Sequence, residues 1–361
     1  MATNDLADGD RLRLGIIGLG RVAERFHLPA LRKSSRWQVV GTCDPRAERR
    51  ELAQKSLRNI PAYFDVAELL NQVSMDAVLI ATPPAEHAHL ASQTLVNGQH
   101  VLVEKPFGVS RSDARSIVST ASASSRISAA GYNRRFKASY QELKRELMDG
   151  LEKTIQGVRF ELGFPPRQWD PISGYLADLR AGGGVILDVT AHQFDLIPWL
   201  FQAGIERLRV TGENDANGAG HEIGFELELS NGVVCECIAR HGIAYTELLE
   251  VRTDARLYLA HPTGLIAIEQ PVRRLAHRLA AVRNWIDRKL IRLGLLEDEL
   301  AASYHSQLEG FASYLIDGAA GEIARGEDAV RVHAALEALS HARNEIGEWA
   351  RIPEYGLPSS E

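Results

Sequence analysis

The chain has 361 residues, 45% hydrophobic and 24% charged. That is longer than one domain of roughly 150 residues, and the composition of folded globular proteins excludes disorder, collagen-like repeats and coiled coil. A net charge of −6 offers no field for nucleic acid and points to small-molecule partners. Cys43, Cys235 and Cys237 are too few for a disulfide framework and lack zinc-ligand spacing, so no metal is expected. The acidic start lacks a signal peptide's basic and apolar regions, and no run approaches the ~18 apolar residues of a membrane span. A reducing, cytoplasmic setting is expected.

Strand-like and helix-like runs alternate over the first third, the pattern of a parallel sheet covered by helices. Strands are predicted at 13–17, 37–43, 63–64, 77–81, 101–103 and 127–132, and helices at 22–33, 46–57, 66–71, 87–97 and 110–121, with Gly98 as a left-handed stop. Six strands complete a doubly wound unit. The texture then changes. Ile223, Phe225, Leu227 and Leu229 alternate with Glu222, Glu226 and Glu228, a period of two with one polar face, which signals an open antiparallel sheet. Cys235 and Cys237 lie two apart in such a run and read as structural. Further strands are predicted near 154–164, 208–211, 233–240, 246–253, 255–259 and 265–269, and helices at 141–148, 272–293, 299–316 and 328–348. The fold class is therefore α/β: residues 1–132 form a doubly wound parallel-sheet domain, and residues 133–361 an α+β domain with a large, mostly antiparallel open sheet.

Chemistry concentrates at a few places. Gly18-Leu-Gly20-Arg21-Val22-Ala23 follows the first strand and opens a helix. Gly18 permits the tight turn, Gly20 lets the backbone approach a pyrophosphate, and the helix N-terminus faces the phosphates. Asp44 ends the second strand, where a carboxylate accepts from ribose hydroxyls and repels a 2′-phosphate, so NAD is expected over NADP. Arg46 and Arg49 lie just beyond and read either as solvated helix charges or as partners for such a phosphate. Glu104-Lys105-Pro106 lies at the carboxyl edge of the sheet. The chain has only seven lysines, and an ammonium at that edge orients a substrate hydroxyl and stabilises oxyanion charge. Glu104 has two candidate donors, Lys105 and the nicotinamide amide. Gly182-Gly183-Gly184 leads into a helical run that puts Asp188 and His192 on one face at i, i+4, a pairing suited to proton transfer and equally common as a structural pair.

Together these segments resemble the glucose-fructose oxidoreductase and inositol dehydrogenase family (Gfo/Idh/MocA), over essentially the whole chain. Ala81-Thr-Pro-Pro-Ala-Glu-His87 and Gly131-Tyr-Asn-Arg-Arg-Phe136 also look like its cofactor loops. Departures are Ile186 where leucine is frequent, Val189-Thr190 before the histidine, and the 272–296 stretch. The resemblance implies that Lys105 holds the substrate hydroxyl, that His192 is the acid/base, and that Asp188 contacts substrate or tunes His192. It implies that Thr82, Pro83 and His87 line the adenosine-phosphate side, and that Asn133 and Arg134 lie near nicotinamide or substrate. His87 also reads as a capping or exposed histidine. Arg167, Trp169 and Tyr175, in the loop before the glycines, are candidate substrate contacts. The implied activity is NAD(P)-dependent hydride transfer between nicotinamide and a secondary alcohol or ketone of a sugar, cyclitol or nucleotide-linked sugar. A non-catalytic nucleotide-binding regulator and a redox-neutral lyase or epimerase using bound NAD are the alternatives.

Two partner readings remain. An open sheet with one uncovered face must hide that face or keep it polar, which favours a homo-oligomer, a dimer or tetramer, and is weakened by the glutamates of 222–228. Over 272–293, Val272, Leu275, Leu279, Val282, Ile286, Leu290 and Leu293 recur at three- and four-residue intervals amid seven cations with Asp287 as the internal acid. The favoured reading of that stripe is packing on its own domain or a partner subunit. The alternative is contact with anionic groups, either a membrane surface or a substrate diphosphate.

Overall fold

The computed structural model describes residues 11–58, 60–149, 154–165, 184–216, 220–242, 244–269, 273–293 and 298–353. The chain divides into two compact units, Met1–Phe136 with Ala301–Val330, and Lys137–Leu300 with Arg331–Glu361. The chain thus first leaves the first unit at Phe136 and later returns to it over 301–330, a return absent from a reading that places all of 133–361 in one domain.

In the first unit, strands β1 (Leu12–Ile17), β2 (Trp37–Cys43), β3 (Ala62–Tyr63), β4 (Ala77–Ile80), β5 (His100–Glu104) and β6 (Ser128–Gly131) pair in parallel in the order β3-β2-β1-β4-β5-β6. Every residue of β4 is buried, as apolar strands covered on both faces must be. A π-type turn, Ala23–His27, continues into helix α1 (Leu28–Lys33), in place of the α-helix expected from residue 22. Helices α2 (Ala47–Ser56), α3 (Val66–Gln72), α4 (Pro84–Val96) and α5 (Arg111–Ala123) follow. Asp65 caps α3 by accepting from the Ala67 and Glu68 amides, and Ser110 with Asp113 forms a capping box on α5. Gly98 stops α4 at φ +94°.

A short seventh strand, whose register could not be read from its two residues, adds antiparallel to β6; it is β14 (Ala324–Arg325), in the returning segment. Tyr304 stacks on Phe26 at 4.5 Å, and the Trp37 indole N–H donates to the Leu308 carbonyl at 2.8 Å. These buried aromatic contacts explain why the segment belongs with the first unit.

The second unit carries helix α6 (Ala138–Asp149), strand β7 (Ile155–Phe164), a π-type turn Ile186–Thr190 and helix α7 (Ala191–Phe201). Strands β8 (Ile205–Ala216), β9 (Gly220–Leu229), β10 (Val234–His241), β11 (Thr246–Thr253), β12 (Arg256–His261) and β13 (Gly264–Glu269) follow. Helices α8 (Arg273–Arg292), α9 (Glu299–Asp317) and α10 (Gly326–Ala342) and strand β15 (Ala350–Arg351) complete the chain. The eight-stranded sheet has the order β13-β12-β11-β7-β10-β9-β8-β15, antiparallel except between β7 and β10. Its buried face takes Ile223, Phe225, Leu227 and Leu229 together with Cys235 and Cys237. Burial pushes both thiols well above their ordinary value, consistent with a structural role. The opposite face carries cross-strand pairs, Arg207 with Glu228 at 2.6 Å and Arg209 with Glu226 at 2.7 Å, and both guanidiniums cover the Trp349 ring. That face is kept polar. Helix α10 ends at Ala342, six residues short of expectation, because 343–348 turn through Gly347 at φ +94°.

Candidate functional site

In the first unit the chemistry gathers at the carboxyl ends of β1, β2, β4 and β5. Gly18 has φ +90°, and a Cβ there would lie 2.6 Å from the Ala81 carbonyl carbon. The turn therefore requires glycine on two counts. Around Gly20 no atom lies within 4 Å of a Cβ position, so the backbone faces open space. Arg21 is exposed and Val22 half-buried at the helix start.

The Asp44 carboxylate, 2% exposed, accepts from the Leu19 amide at 2.9 Å, from the Arg46 amide at 2.9 Å, and from Arg46 Nε and Nη2 at 3.0 Å each. Burial works to raise its pKa, yet the hydrogen bonds from Arg46 and Leu19 outweigh it and hold the carboxyl below its usual value. Each arginine holds a carboxylate of the chain: Arg46, half exposed, sits on Asp44, and Arg49 donates to Glu24 at 2.6 Å.

Thr82, Pro83 and His87 form the next wall, where β4 gives way to α4. His87 is fully buried, its two ring nitrogens against the Pro106 carbonyl at 2.8 Å and the Thr82 carbonyl at 2.9 Å. It is a clamp between two loops, neither exposed nor a helix cap. Burial lowers its pKa, against the two carbonyl contacts that favour the charged form. The Thr82 hydroxyl oxygen is buried and has no hydrogen-bond partner among the described residues, which suits a loop that contacts a ligand.

Glu104, at the end of β5, accepts from His27 Nε2 at 2.7 Å and from the Lys105 amide at 3.0 Å. Lys105 follows it, half-buried. Gly131 makes room, since a Cβ there would meet Glu104 Cα at 2.9 Å. His27 was not legible as a site residue because its role depends on a strand 77 positions away in sequence. Asn133 and Arg134 are buried at 1% and 3%. The Asn133 side chain donates to Ser303 Oγ at 2.8 Å, and its amide and that of Tyr132 reach the Gln307 side-chain oxygen at 3.1 and 3.2 Å. Asn133 thus anchors the returning segment.

The second unit holds Asp188 and His192, both buried. Asp188 lies in the π-type turn and His192 in the first turn of α7. Thr190 Oγ1 bonds back to the Ile186 carbonyl, a contact that bends helices. Gln193 donates to the carbonyls of Phe160 on β7 and Ile238 on β10, at 3.0 and 3.2 Å. It lays the helix over the one parallel strand pair, in which His241 and Phe164 are register partners. His241 Nε2 donates to Asp188 at 3.1 Å, and the Phe164 ring meets His192 edge-on at 5.9 Å.

Tyr245 stacks on Phe164 at 5.7 Å and its hydroxyl donates to Glu247, which also accepts from Tyr140 at 2.7 Å and pairs with buried Lys137 at 3.1 Å. Sequence reading found Asp188 and His192 and missed His241 and Phe164, which the parallel pairing of β7 and β10 brings beside them, and Tyr245, which the antiparallel pairing of β11 with β7 sets on Phe164. Of the glycine run, Gly182 and Gly183 lie outside the described residues, as do Arg167, Trp169 and Tyr175. No cluster of His, Cys, Asp and Glu able to hold a metal occurs among the described residues.

Residues 12–132 match the family model described as "Oxidoreductase family, NAD-binding Rossmann fold", and residues 140–258 match the "GFO/IDH/MocA C-terminal domain". Similar proteins include the rhizopine catabolism protein MocA of Rhizobium meliloti, 30% identical over 53% of this chain, and the myo-inositol 2-dehydrogenase of Thermotoga maritima, 29% identical over 56%. The matched segments span 57% and 58% of those two relatives. The oxidoreductase YceM of Salmonella typhimurium is 32% identical over 68% of this chain and 75% of its own length.

Among solved structures, myo-inositol 2-dehydrogenase from Lactobacillus plantarum has a TM-score of 0.75 at 21% identity, covering 95% of this chain and 100% of that one. The WlbA dehydrogenase from Bordetella pertussis, solved with NADH and UDP-GlcNAcA, has a TM-score of 0.76 at 17% identity, covering 97% and 100%. At these identities the likeness is one of fold. With both domain models matched, and a relative above 30% identity matched along most of its length, this chain belongs to the Gfo/Idh/MocA oxidoreductase family with an NAD-binding Rossmann fold.

Proposed function

We propose that this protein is an NAD-dependent dehydrogenase or reductase acting on a secondary alcohol or ketone of a sugar, cyclitol or nucleotide-linked sugar. The observation that carries the reading is the joint presence of a glycine turn opened for a nucleotide, Lys105 at the carboxyl edge of the parallel sheet, and a buried Asp188–His241 pair on the turn that leads to His192. Relatives that act on inositol support the cyclitol class, and the fold neighbour solved with UDP-GlcNAcA supports nucleotide-linked sugars.

The residues present fit a dinucleotide. Gly18 and Gly20 hold the backbone where a pyrophosphate approaches, the buried Thr82 hydroxyl awaits a partner, and Asp44 stands at the end of β2 for ribose hydroxyls. When bound, NAD supplies the acceptor for a carbon-bound hydride. All other work falls to the chain. Lys105 donates to the substrate oxygen, orienting it and stabilising its negative charge as the O–H bond breaks. His192 takes that proton at a ring nitrogen. Asp188, which accepts from His241 Nε2, stands one helical turn before His192 and serves to orient its imidazole. In the reductive direction the same groups return the proton to the carbonyl oxygen.

The test is a panel of sugars, inositols and sugar nucleotides incubated with enzyme and NAD, followed by absorbance of the reduced nicotinamide. At least one member is expected to drive reduction. Saturable NAD binding with an unchanged absorbance across the panel, or product formed without net reduction, contradicts hydride transfer to free cofactor.

A further inference from the structure

Of the stripe's described side chains on α8, Leu290 is half-buried and the others do not pack on their own domain. Leu279, Val282, Trp285, Ile286 and Leu293 are 47%, 55%, 59%, 44% and 71% exposed. The side that rests against β12 and β13 is a different one, bearing half-buried Asn284, Asp287 and Ile291, and it is tied down by Thr263 donating to Asp287 at 2.9 Å and by Arg283 donating to the Leu265 carbonyl at 3.3 Å. A helical projection places Leu279, Val282, Ile286 and Leu293 within one sector, with Trp285 at its edge. The same helix carries Arg273, Arg274, Arg278, Arg283, Arg288, Lys289 and Arg292 against the single carboxylate of Asp287, in a chain of net charge −6. It lies outside both segments matched by the family models.

We propose that α8 docks the protein on an anionic phospholipid bilayer, lying in the headgroup plane with Leu279, Val282, Trp285, Ile286 and Leu293 entering the acyl boundary. Such helices combine an apolar face, a basic polar face and a tryptophan at the interface, and they lie on the bilayer rather than cross it. No helix among the described residues is long and apolar enough to cross a membrane. Lys289, with its ammonium 3.8 Å from the Trp285 ring centroid, stands at the edge of the apolar sector where a headgroup phosphate is reached.

Charge decides against the other cover for this face. In a two-fold dimer the same patch meets itself, so exposed Arg278, Arg288, Lys289 and Arg292 would confront the same cations of the second copy beside a largely apolar contact. An anionic surface instead gains attraction from each of them.

The experiment is co-sedimentation of the full chain with vesicles of phosphatidylcholine alone or with about a third phosphatidylglycerol, at about 0.1 M salt. Binding is expected to the anionic vesicles only, with a blue shift of tryptophan emission that Trp285→Phe removes. The paired substitution Arg288→Glu with Lys289→Glu is expected to weaken partitioning about 25-fold or more. Val282→Ser with Ile286→Ser is also expected to lose binding, at unchanged circular dichroism and melting temperature because both side chains are exposed. Wild-type protein left in the supernatant with anionic vesicles overturns the proposal, as does undiminished binding by the charge-reversed variant. A dimer in sedimentation velocity that Val282→Ser with Ile286→Ser dissolves, without vesicle binding by the wild type, assigns the face to a second copy instead.

Discussion

Asp44 enters the site already occupied. A carboxylate offers about four lone-pair positions, and the Leu19 amide and three Arg46 donors fill them. On the proposed reading, ribose hydroxyls that reach Asp44 displace the Arg46 side chain, which is half exposed. Arg46→Ala is expected to tighten NAD severalfold in calorimetric titration and to leave NADP weak. A variant that binds NAD more weakly would show that Arg46 belongs to the bound state. Gly18→Ala is expected to abolish measurable NAD binding, because the added methyl collides with the Ala81 carbonyl in a backbone conformation that side chains avoid. Nucleotide affinity within twofold of wild type would contradict that geometry. Lys105→Ala is expected to cut turnover on the best substrate about 100-fold while sparing NAD affinity, through lost oxyanion stabilisation.

Helices and strands with strong local signals were legible in the sequence to within a residue or two: β2 and β11 coincide with their predicted spans, and α3, α5 and β7 nearly so. What escaped was decided by contacts distant in sequence. The glycine-led helices both open with π-type turns, Ala23–His27 and Ile186–Thr190, and wide turns of this kind mark functional segments that periodicity cannot announce. His241 could not be joined to Asp188 without the parallel pairing of β7 with β10, and β14 is too short to carry a pattern of its own.

Pairing also fixes a pH response. The Ile127 amide donates to His100 Nδ1 at 2.9 Å between β5 and β6, which requires the nitrogen unprotonated. Burial, assisted by the Arg126 charge, pushes His100 down to about 4. A folded pKa below the unfolded one means that the unfolded chain takes up the proton first, so this contribution, at most about 3 kcal/mol, is lost as pH falls from about 6.5 toward 4. Denaturant midpoints measured across that window should fall less steeply for His100→Gln than for wild type. Parallel slopes would remove His100 from the acid response.

At the scale of the molecule, the chain is a dinucleotide-type unit that reclaims a later segment, joined to a sheet unit whose outer face is sealed by arginine–glutamate pairs under Trp349. The sealed face removes one reason for self-association, and on α8 the exposed Leu279, Val282, Trp285, Ile286 and Leu293 leave an apolar surface. The central claim concerns neither surface. It is that His192 accepts the proton released as hydride leaves the substrate carbon, and it is tested by comparing His192→Ala with wild type for turnover and for NAD affinity together. Turnover lower by about 100-fold or more with NAD affinity unchanged is the predicted result; turnover within a factor of about two of wild type would contradict it.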